Sequence, residues 1–308
     1  MRSLIIEKEN KKYVGQNIYK VISNYFPNLT VGNLNKLFRV KDVKINKIRV
    51  TKEYVVSYGD VIEIYLNDDL LFGTRTNLKR VYEDENILAV YKPAKMFSCN
   101  ETHKYTNTQN SNKVYLEQLV RNESGNNLNI CHRLDTNTEG IVLFAKNDTA
   151  YSELLSAFKN HKICKKYLTC VFSKPPKPQD ILIGYLVKNS KDNFVTVKDK
   201  EVPNGEKIIT EYNIIKYNKK NNTSLLEITL HTGKTHQIRA HMKHIGCPVI
   251  GDPKYSTNEI NKLFKVNSQV LIAYKYKFNL DKISYLSYLN DIEISIKPED
   301  IELLNKIQ

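Results

Sequence analysis

The sequence predicts an α+β protein: a small basic α/β unit followed by a larger unit built on a mixed, mainly antiparallel sheet. Two helical patterns and then short strands occupy the first 70 residues. Beyond residue 79, strand patterns follow one another with few helices between them. This order favours antiparallel strand neighbours over the regular strand–helix alternation of a parallel sheet. The chain of 308 residues is long enough for each unit to bury its own core.

The N-terminal unit is predicted over residues 1–70. Ile18, Val21 and Ile22 recur at helical spacing, and a second helix follows Thr30. Short strands come next, with a turn at Gly59–Asp60. Cationic side chains lie close together on the second helix and the strand after it. They either solvate helix faces or contact phosphates, and their density favours phosphate contacts. These residues are Lys36, Arg39, Lys41, Lys44, Lys47 and Arg49.

Residues 71–79 are predicted to be a linker, because they lack any hydrophobic period, and residues 80–308 form the larger unit. Its first strands, Val81–Glu83 and Ile87–Tyr91, flank a polar turn. Ile141–Lys146 is an apolar strand, and Asp148 is expected to cap the amphipathic helix that follows it.

The C-terminal half of the larger unit adds more strands and one helix with a dense polar pattern. Tyr167–Phe172 is a strand, and Ile208–Tyr217 with Ser224–His231 is predicted to be a hairpin. A helix is expected from Thr235 to Ile245, ended by a glycine suited to a left-handed cap.

The net charge of +14 points to a polyanionic partner, although generous use of lysine on solvated faces would give the same value. Five cysteines without a C-x-x-C pair indicate neither a disulfide framework nor a zinc site. The N-terminus lacks a signal-peptide core, and no stretch approaches the roughly 18 apolar residues of a membrane span. We therefore expect a cytoplasmic protein without a membrane partner. We also expect it to act as a monomer.

The densest polar segment is CHRLDTNTEG, Cys131–Gly140. If it is extended, Arg133 and Asp135 share one face, and His132 and Leu134 share the other. A carboxylate and a guanidinium would then lie side by side where the chain enters a buried strand. Taken alone, the pattern fits better with an Asp that caps a turn.

Two further segments carry candidate site residues. The histidine-rich stretch His231–Gly246 includes His241 and His244 at a spacing that could share a metal ion. No acidic residue lies nearby in sequence, so we predict packing or phosphate contacts and no metal site. The segment KKYL, Lys165–Leu168, places Tyr167 beside two lysines, and an ordinary strand tyrosine is the alternative.

Together these segments resemble, in order, the motifs of the RluA-type pseudouridine synthases, which modify large-subunit ribosomal RNA. HRLDTNTEGIVLFAKN (His132–Asn147) resembles the segment that carries the family's catalytic aspartate. GKTHQIRAHMKHIGCPVIGDPKY (Gly233–Tyr255) resembles its later G-R-T-H-Q-I-R-x-H block. KKYL is similar to its K-x-Y motif, and VYEDENILAVYKPAKM (Val81–Met96) to its opening strand pair. The first 70 residues look like the S-four-like RNA-binding domain often fused ahead of this catalytic domain.

The resemblance implies an isomerase that breaks the bond between uracil N1 and the sugar, rotates the base and rejoins it through C5. Asp135 would act on the sugar, and Arg239 would hold the carboxylate ionised and fix its direction. Tyr167 would stack on the target base. His132 and Arg133 would contact the RNA, with Arg133 filling the gap left by the flipped uridine. No redox step or phosphate transfer occurs, so no cofactor is expected.

The substrate implied by the resemblance is RNA, with ribosomal RNA favoured by the N-terminal unit and transfer RNA possible. The chain departs from the family pattern at Glu139, Lys234 and Ile272, and the usual Asn-Gly turn of the N-terminal domain is Asn46–Lys47. None of these positions is one of the three catalytic candidates.

Two other functions are compatible with the sequence. A non-catalytic RNA-binding or ribosome-assembly factor would need only the basic surfaces, and the Asp135, Tyr167 and Arg239 set argues against it. A nucleoside hydrolase would release free uracil and would place a second acid in the pocket, because hydrolytic glycosidases generally use two carboxylates.

Overall fold

The structure, a computed structural model, describes residues 2–5, 12–25, 29, 31–65, 78–99, 115–125, 127–189, 194–266, 268–301 and 304. The described residues before 66 form one compact unit, and those from Leu78 onward form a second. Of the predicted linker, residues 71–77 lie outside the described residues. The domain boundaries at 70 and 80 therefore stay predictions.

The first unit packs two helices on a four-stranded sheet. The helices are α1 (Ile18–Tyr25) and α2 (Val31–Arg39). The sheet has the order β1-β4-β2-β3, and all its described pairs are antiparallel. Buried residues from both helices and from the strands make one apolar core. The strands are β1 (Arg2–Ile5), β2 (Val43–Ile45), β3 (Ile48–Arg49) and β4 (Val61–Ile64).

The turn between β2 and β3 keeps the backbone geometry of an Asn-Gly turn although its second residue is lysine. Asn46 has φ 49° and Lys47 has φ 70°, so both lie in the left-handed region that a two-residue hairpin turn requires. The Asn46 amide donates to Asp60 at 3.0 Å, and Asn46 Oδ1 accepts from the Val61 amide at 2.9 Å. These bonds hold a lysine in a conformation that ordinarily favours glycine.

The second unit is built on one long mixed sheet, as the sequence predicts. Its strand order is β11-β10-β12-β13-β9-β14-β8-β6-β5, with β15 paired to β14 and β7 paired to β8. Strands β8 and β14 are parallel, and the other described pairs in this sheet are antiparallel. The predicted hairpin corresponds to β12 and β13. The strands run as follows: β5 Arg80–Glu83, β6 Ile87–Lys92, β7 Asn129–Ile130, β8 Glu139–Ala145, β9 Ile163–Phe172, β10 Gln179–Asn189, β11 Phe194–Lys198, β12 Glu206–Asn218, β13 Thr223–Leu230, β14 Leu271–Phe278 and β15 Glu293–Ser295.

Four α-helices within the described residues belong to this unit, and their apolar residues pack against its core. They are α3 (Leu116–Ser124), α4 (Asp148–Lys159), α5 (Gln237–His244) and α6 (Asn258–Phe264). None of the helices that the structure describes combines the length and the apolar character needed to cross a membrane.

Two helix starts differ from the prediction. Asn147, not Asp148, caps α4: its side chain accepts from the Ala150 amide at 2.8 Å, and Asp148 is the first helical residue. Helix α5 begins at Gln237 rather than Thr235, because His236 adopts a left-handed conformation with φ 57°. In both cases an adjacent polar residue could have served as the cap, and the sequence does not distinguish the two.

The parallel pairing of β8 with β14 requires a glycine at the last position of the polar segment. Gly140 has φ 119°, and a Cβ there would lie 2.2 Å from the Ala273 carbonyl oxygen. The two backbones therefore approach as closely as only glycine allows. The segment that carries Asp135 thus ends at a fixed point in the sheet. A single turn, closed by the Thr138 amide and the Asp135 carbonyl, separates Asp135 from β8.

Candidate active site

A cavity of about 570 Å³ opens over the sheet of the second unit. The segment His132–Asp135, strand β9, the loop after β13 and the first turn of α5 line it. The last two belong to one stretch, His231–Gly246, so the cavity is lined by the three segments on which the sequence places its candidate chemistry. Asp135, Tyr167 and Arg239 all line the cavity, although they are far apart in the chain.

The Asp135 carboxylate is fixed by Arg239 at the cavity wall. Arg239 Nη1 donates to Asp135 Oδ2 at 2.8 Å, and the Asp135 side chain remains 29% exposed while that of Arg239 is 5% exposed. The carboxylate therefore reaches into the open cavity, and its guanidinium partner lies behind it. An ion pair of this kind fixes the direction of the carboxylate as well as its charge.

Asp252 holds Arg239 from the other side. Arg239 Nε and Nη2 donate to the two Asp252 oxygens at 2.6 Å and 3.0 Å, and Asp252 is fully buried. Burial opposes the charge of Arg239, but hydrogen bonds and charge from Asp252, with those of Asp135, raise the pKa of the guanidinium. Asp252 has no predicted role in the sequence, although its place in the G-D-P-K-Y end of the family block was an available signal.

His236 is a second group beside the Asp135 carboxylate. Its Nε2 lies 3.7 Å from Asp135 Oδ2, and its Nδ1 lies 3.1 Å from the Tyr255 hydroxyl. That hydroxyl accepts from the Val195 amide at 3.0 Å. Burial, opposed by the Asp135 charge, lowers the pKa of His236 and favours its neutral form.

Tyr167 lies in the floor of the cavity on β9. It is 8% exposed, and it shares a hydrogen bond with Tyr276, whose hydroxyl also donates to the Ile141 carbonyl at 3.1 Å. Burial, with the nearby charge of Asp135, raises the pKa of Tyr167. The phenol is therefore protonated in the resting site, and Tyr167 and Asp135 line the same cavity.

The loop that carries Asp135 is tied down by buried polar groups from other segments. The Ser98 hydroxyl accepts from the Leu134 amide at 3.0 Å and donates to the Leu134 carbonyl at 2.9 Å. Gln269 donates to the Thr138 hydroxyl at 2.6 Å. These bonds fix the backbone on both sides of Asp135.

Lys92 supports the same loop from the protein interior. Its ammonium group is fully buried and donates to the carbonyls of Pro93, Met96 and Thr136 at 2.8 to 3.0 Å. Burial lowers its pKa to about 8, against the charges of Glu139 and Asp135. Glu139, one of the departures from the family pattern, thus supplies negative charge to a buried lysine.

His132 is mainly a packing residue of the Asp135 segment. Its ring packs against Phe158 and Tyr276, with centroids 4.6 Å and 5.4 Å away. Its Nε2 accepts from the Leu143 amide at 3.1 Å. Burial, with the charge of Lys165, lowers its pKa to about 3, so the ring is neutral. It lines the cavity, but its contact with RNA stays a prediction.

This half-buried, neutral histidine predicts a pH effect on stability. An unfolded histidine takes up its proton near pH 6.5, whereas folded His132 does not until about pH 3. The unfolded state therefore binds more protons below pH 6.5, and folding weakens by about 1.4 kcal/mol per pH unit in that window. His132→Gln keeps an acceptor for the Leu143 amide without this titration.

We expect urea unfolding of the wild type to lose about 2 kcal/mol more than His132→Gln between pH 7 and pH 5. His241, whose pKa burial lowers to about 4, contributes equally to both proteins and cancels in the comparison. Parallel stability curves for the two proteins over this range would show that His132 is protonated in the folded state.

The remaining candidate residues are exposed or half-buried side chains at the protein surface. Arg133 is exposed at the cavity rim, on the same side as Asp135. In the first unit, Lys36 and Arg39 are exposed on α2, and the Lys44 ammonium lies 4.7 Å from the centroid of the Tyr65 ring and donates to its hydroxyl at 3.2 Å. Their contact with RNA stays a prediction.

The two histidines spaced for a metal have separate partners. His241 is buried beside the Thr210 hydroxyl at 3.0 Å, and His244 lies 2.7 Å from Asp199. Within the described parts of the chain, no group of three or more His, Cys, Asp or Glu side chains is placed to hold a metal ion.

A carboxylate held by a buried ion-pair chain, above a tyrosine in an open cavity, is the arrangement of an enzyme active site. A model of the RNA pseudouridylate synthase family matches residues 86–244, which include all three catalytic candidates. Ribosomal large subunit pseudouridine synthase C of Rickettsia typhi is 32% identical over 261 residues, covering 78% of this chain and 82% of that protein.

An RNA pseudouridine synthase of Mycoplasma capricolum, described as uncharacterized, is 30% identical over 305 residues, covering 94% of this chain and 96% of that protein. Among solved structures, human RNA pseudouridylate synthase domain containing 1 is similar with a TM-score of 0.60 and 20% identity. The match covers 75% of this chain and 88% of that chain. At 20% identity it supports the fold alone.

The chain is an isomerase that acts on RNA. It belongs to the RluA-type RNA pseudouridine synthase family.

Proposed function

We propose that this enzyme converts specific uridines of large-subunit ribosomal RNA into pseudouridine, with Asp135 acting on the sugar of a flipped-out uridine. The observation that carries the proposal is the Asp252–Arg239–Asp135 chain, which fixes one partly exposed carboxylate in a cavity floored by Tyr167. The printed names of the Rickettsia relatives favour ribosomal over transfer RNA.

Asp135 has an oxygen available for chemistry in this proposal. The contacts of Arg239 and His236 both converge on Oδ2, so we assign Oδ1 as the oxygen that faces the sugar. Base departure and return exchange the N1–C1′ bond for a C5–C1′ bond, while the C5 proton is lost and N1 gains one. The sum is an isomerisation, so no water is consumed.

Tyr167 stacks on the uracil ring in this scheme, and Arg133 occupies the space that the flipped base leaves. Flipping costs a few kcal/mol, which contacts in the cavity must offset. The exposed position of Arg133 on the Asp135 side of the rim supports its part.

A nucleoside hydrolase is the main alternative, and the cavity gives it little support. Two carboxylates flank the scissile bond in most hydrolytic glycosidases. Among the described residues that line this cavity, Asp135 supplies the carboxylate, and the others are cationic, neutral polar or apolar. Asp252 is fully buried behind Arg239, so it is placed to position the site rather than to activate water.

The proposal is tested by comparing ribosomal RNA from a deletion strain with that from its parent. Carbodiimide modification followed by primer extension should stop at one or more large-subunit uridines in the parent, and those stops should disappear in the deletion strain. Identical stop patterns in ribosomal RNA, with a missing stop in transfer RNA, would move the substrate to transfer RNA.

We also propose that residues 1–70 are an S-four-like RNA-binding domain, with residues 80–308 as the catalytic domain of a cytoplasmic, monomeric enzyme. Two helices packed on a small sheet, with Lys36 and Arg39 exposed on α2, support an RNA-facing surface there.

Removing residues 1–70 should weaken RNA binding and make it less dependent on salt. Each lost phosphate contact to single-stranded RNA lowers the slope of log affinity against log salt by about 0.7. Filter-binding titrations of the full and truncated proteins at several salt concentrations measure this slope. Equal slopes would show that the N-terminal cations do not contact RNA, and the role of this unit would have to be found elsewhere.

A further inference from the structure

Lys165 is a cavity-lining lysine that the mechanism above does not use. It lies on β9 two residues before Tyr167, so the two side chains share one face of the strand and both line the cavity. Lys166, between them, points to the opposite face and pairs with Glu227 at 2.6 Å. Of these two neighbouring lysines, Lys165 faces the cavity and Lys166 faces Glu227.

The ammonium of Lys165 is half-buried against the loop after β13. A Cβ on Gly233 would lie 3.1 Å from Lys165 Nζ, so the bare glycine makes room for the ammonium. Burial lowers the pKa of Lys165, and the charge of Lys165 in turn helps to lower that of His132. The ammonium lies in the cavity wall, partly removed from bulk solvent.

Lys165 also lacks a carboxylate partner within the described residues. Asp135, the carboxylate of the cavity lining, is already engaged by Arg239. A partly desolvated ammonium without a counter-ion costs free energy, because neither water nor a paired charge fully replaces its hydration. A site that keeps such a group in a substrate cavity is prepared for an anion that arrives with the substrate.

We propose that Lys165 binds the backbone phosphate next to the target uridine while the uracil ring stacks on Tyr167. This inference rests on the proposed function, since it names a contact within the same RNA site. Phosphate is the anionic group of RNA, and a lysine binds it as a point charge. Residues two apart on a strand are separated by roughly 7 Å, about the distance from a base to an adjacent phosphate.

The test compares binding of uridine, uridine 3′-monophosphate and uridine 5′-monophosphate to the full-length protein by calorimetric titration. One monophosphate should bind the wild type at least about tenfold more tightly than uridine, as a charge-assisted hydrogen bond predicts. Lys165→Met should lose that preference, and Lys165→Arg should restore much of it. Lys166→Met is the matched control on the other face of β9 and should keep the preference.

The inference is overturned if the wild type binds neither monophosphate better than uridine, or if Lys165→Met keeps the full preference. Thermal unfolding of each variant guards against a folding defect, and Lys165→Gln provides a second neutral side chain. The measurement needs no ribosomal substrate. If ribosomal RNA is not the substrate, the carbodiimide mapping will show it, and the calorimetric titration will be unaffected.

Discussion

Asp135→Asn is expected to lower pseudouridine formation by at least about 10⁴-fold. The substitution keeps the shape of the side chain and an oxygen near Arg239, but it removes the negative charge that we propose acts on the sugar. Because Arg239 still has its buried partner Asp252, the free energy of unfolding should change by less than about 1 kcal/mol. Release of tritium from RNA labelled at uridine C5 measures the activity.

Asp148→Asn is the matched control, since Asp148 is an exposed carboxylate in the first turn of α4. It should turn over at the wild-type rate. Both variants should bind RNA with nearly wild-type affinity. Appreciable turnover by purified Asp135→Asn would remove Asp135 from the reaction and leave it a structural role at the turn.

Arg239→Ala is expected to affect activity and stability together. Loss of the guanidinium removes the group that directs Asp135, and comparable losses of a positioned charge cost about 10²–10³-fold in rate. The same change leaves Asp252 buried without its cation. Breaking a buried pair from one side costs about 3–5 kcal/mol of folding free energy. Urea unfolding and tritium release measure the two effects.

A double variant separates them. Arg239→Ala with Asp252→Asn removes the buried charge but keeps an oxygen for the Lys254 and Tyr255 amides, which donate to Asp252 Oδ1 at 2.8 Å and 3.0 Å. Stability should largely return while activity stays low. Recovery of both would mean that Arg239 acts only on the fold, and recovery of neither would place the defect outside the Asp252–Arg239 pair.

The secondary structure could be predicted from the sequence because its signals are local. The apolar run at Ile141, the helix of α4 and the β12–β13 hairpin each show their own hydrophobic period. The errors are local as well. Asn147 and Asp148 are both good helix caps, and only the backbone geometry of the entering chain selects Asn147.

Asp135, Tyr167 and Arg239 could be predicted as a set because family motifs place them together. The groups that hold them could not. Asp252 meets Arg239 only because the chain turns back after α5, and Lys92 reaches the Thr136 carbonyl only in the folded sheet. A lysine at the end of a strand is normally predicted to be solvent-exposed. Lys92 is fully buried, because the loop that carries Asp135 packs over it.

Burial of the α5 face that carries Arg239 could not be predicted from the sequence either. At helical spacing, Ile238 and Met242 form an apolar stripe, and Arg239 lies on a separate, polar face. In the structure Arg239 is buried too, because Asp252 supplies its counter-charge from beyond the helix. A periodicity argument treats charged residues as exposed, and it fails where a partner distant in sequence neutralises the charge.

The central claim is that the enzyme isomerises uridine in RNA through a single carboxylate in its cavity. Nucleoside analysis by mass spectrometry, after incubation of large-subunit ribosomal RNA with the purified protein, tests it most directly. The expected result is a one-for-one exchange of uridine for pseudouridine at unchanged mass, without free uracil, and with no exchange for Asp135→Asn. Release of free uracil, or pseudouridine formed equally by Asp135→Asn, would contradict it.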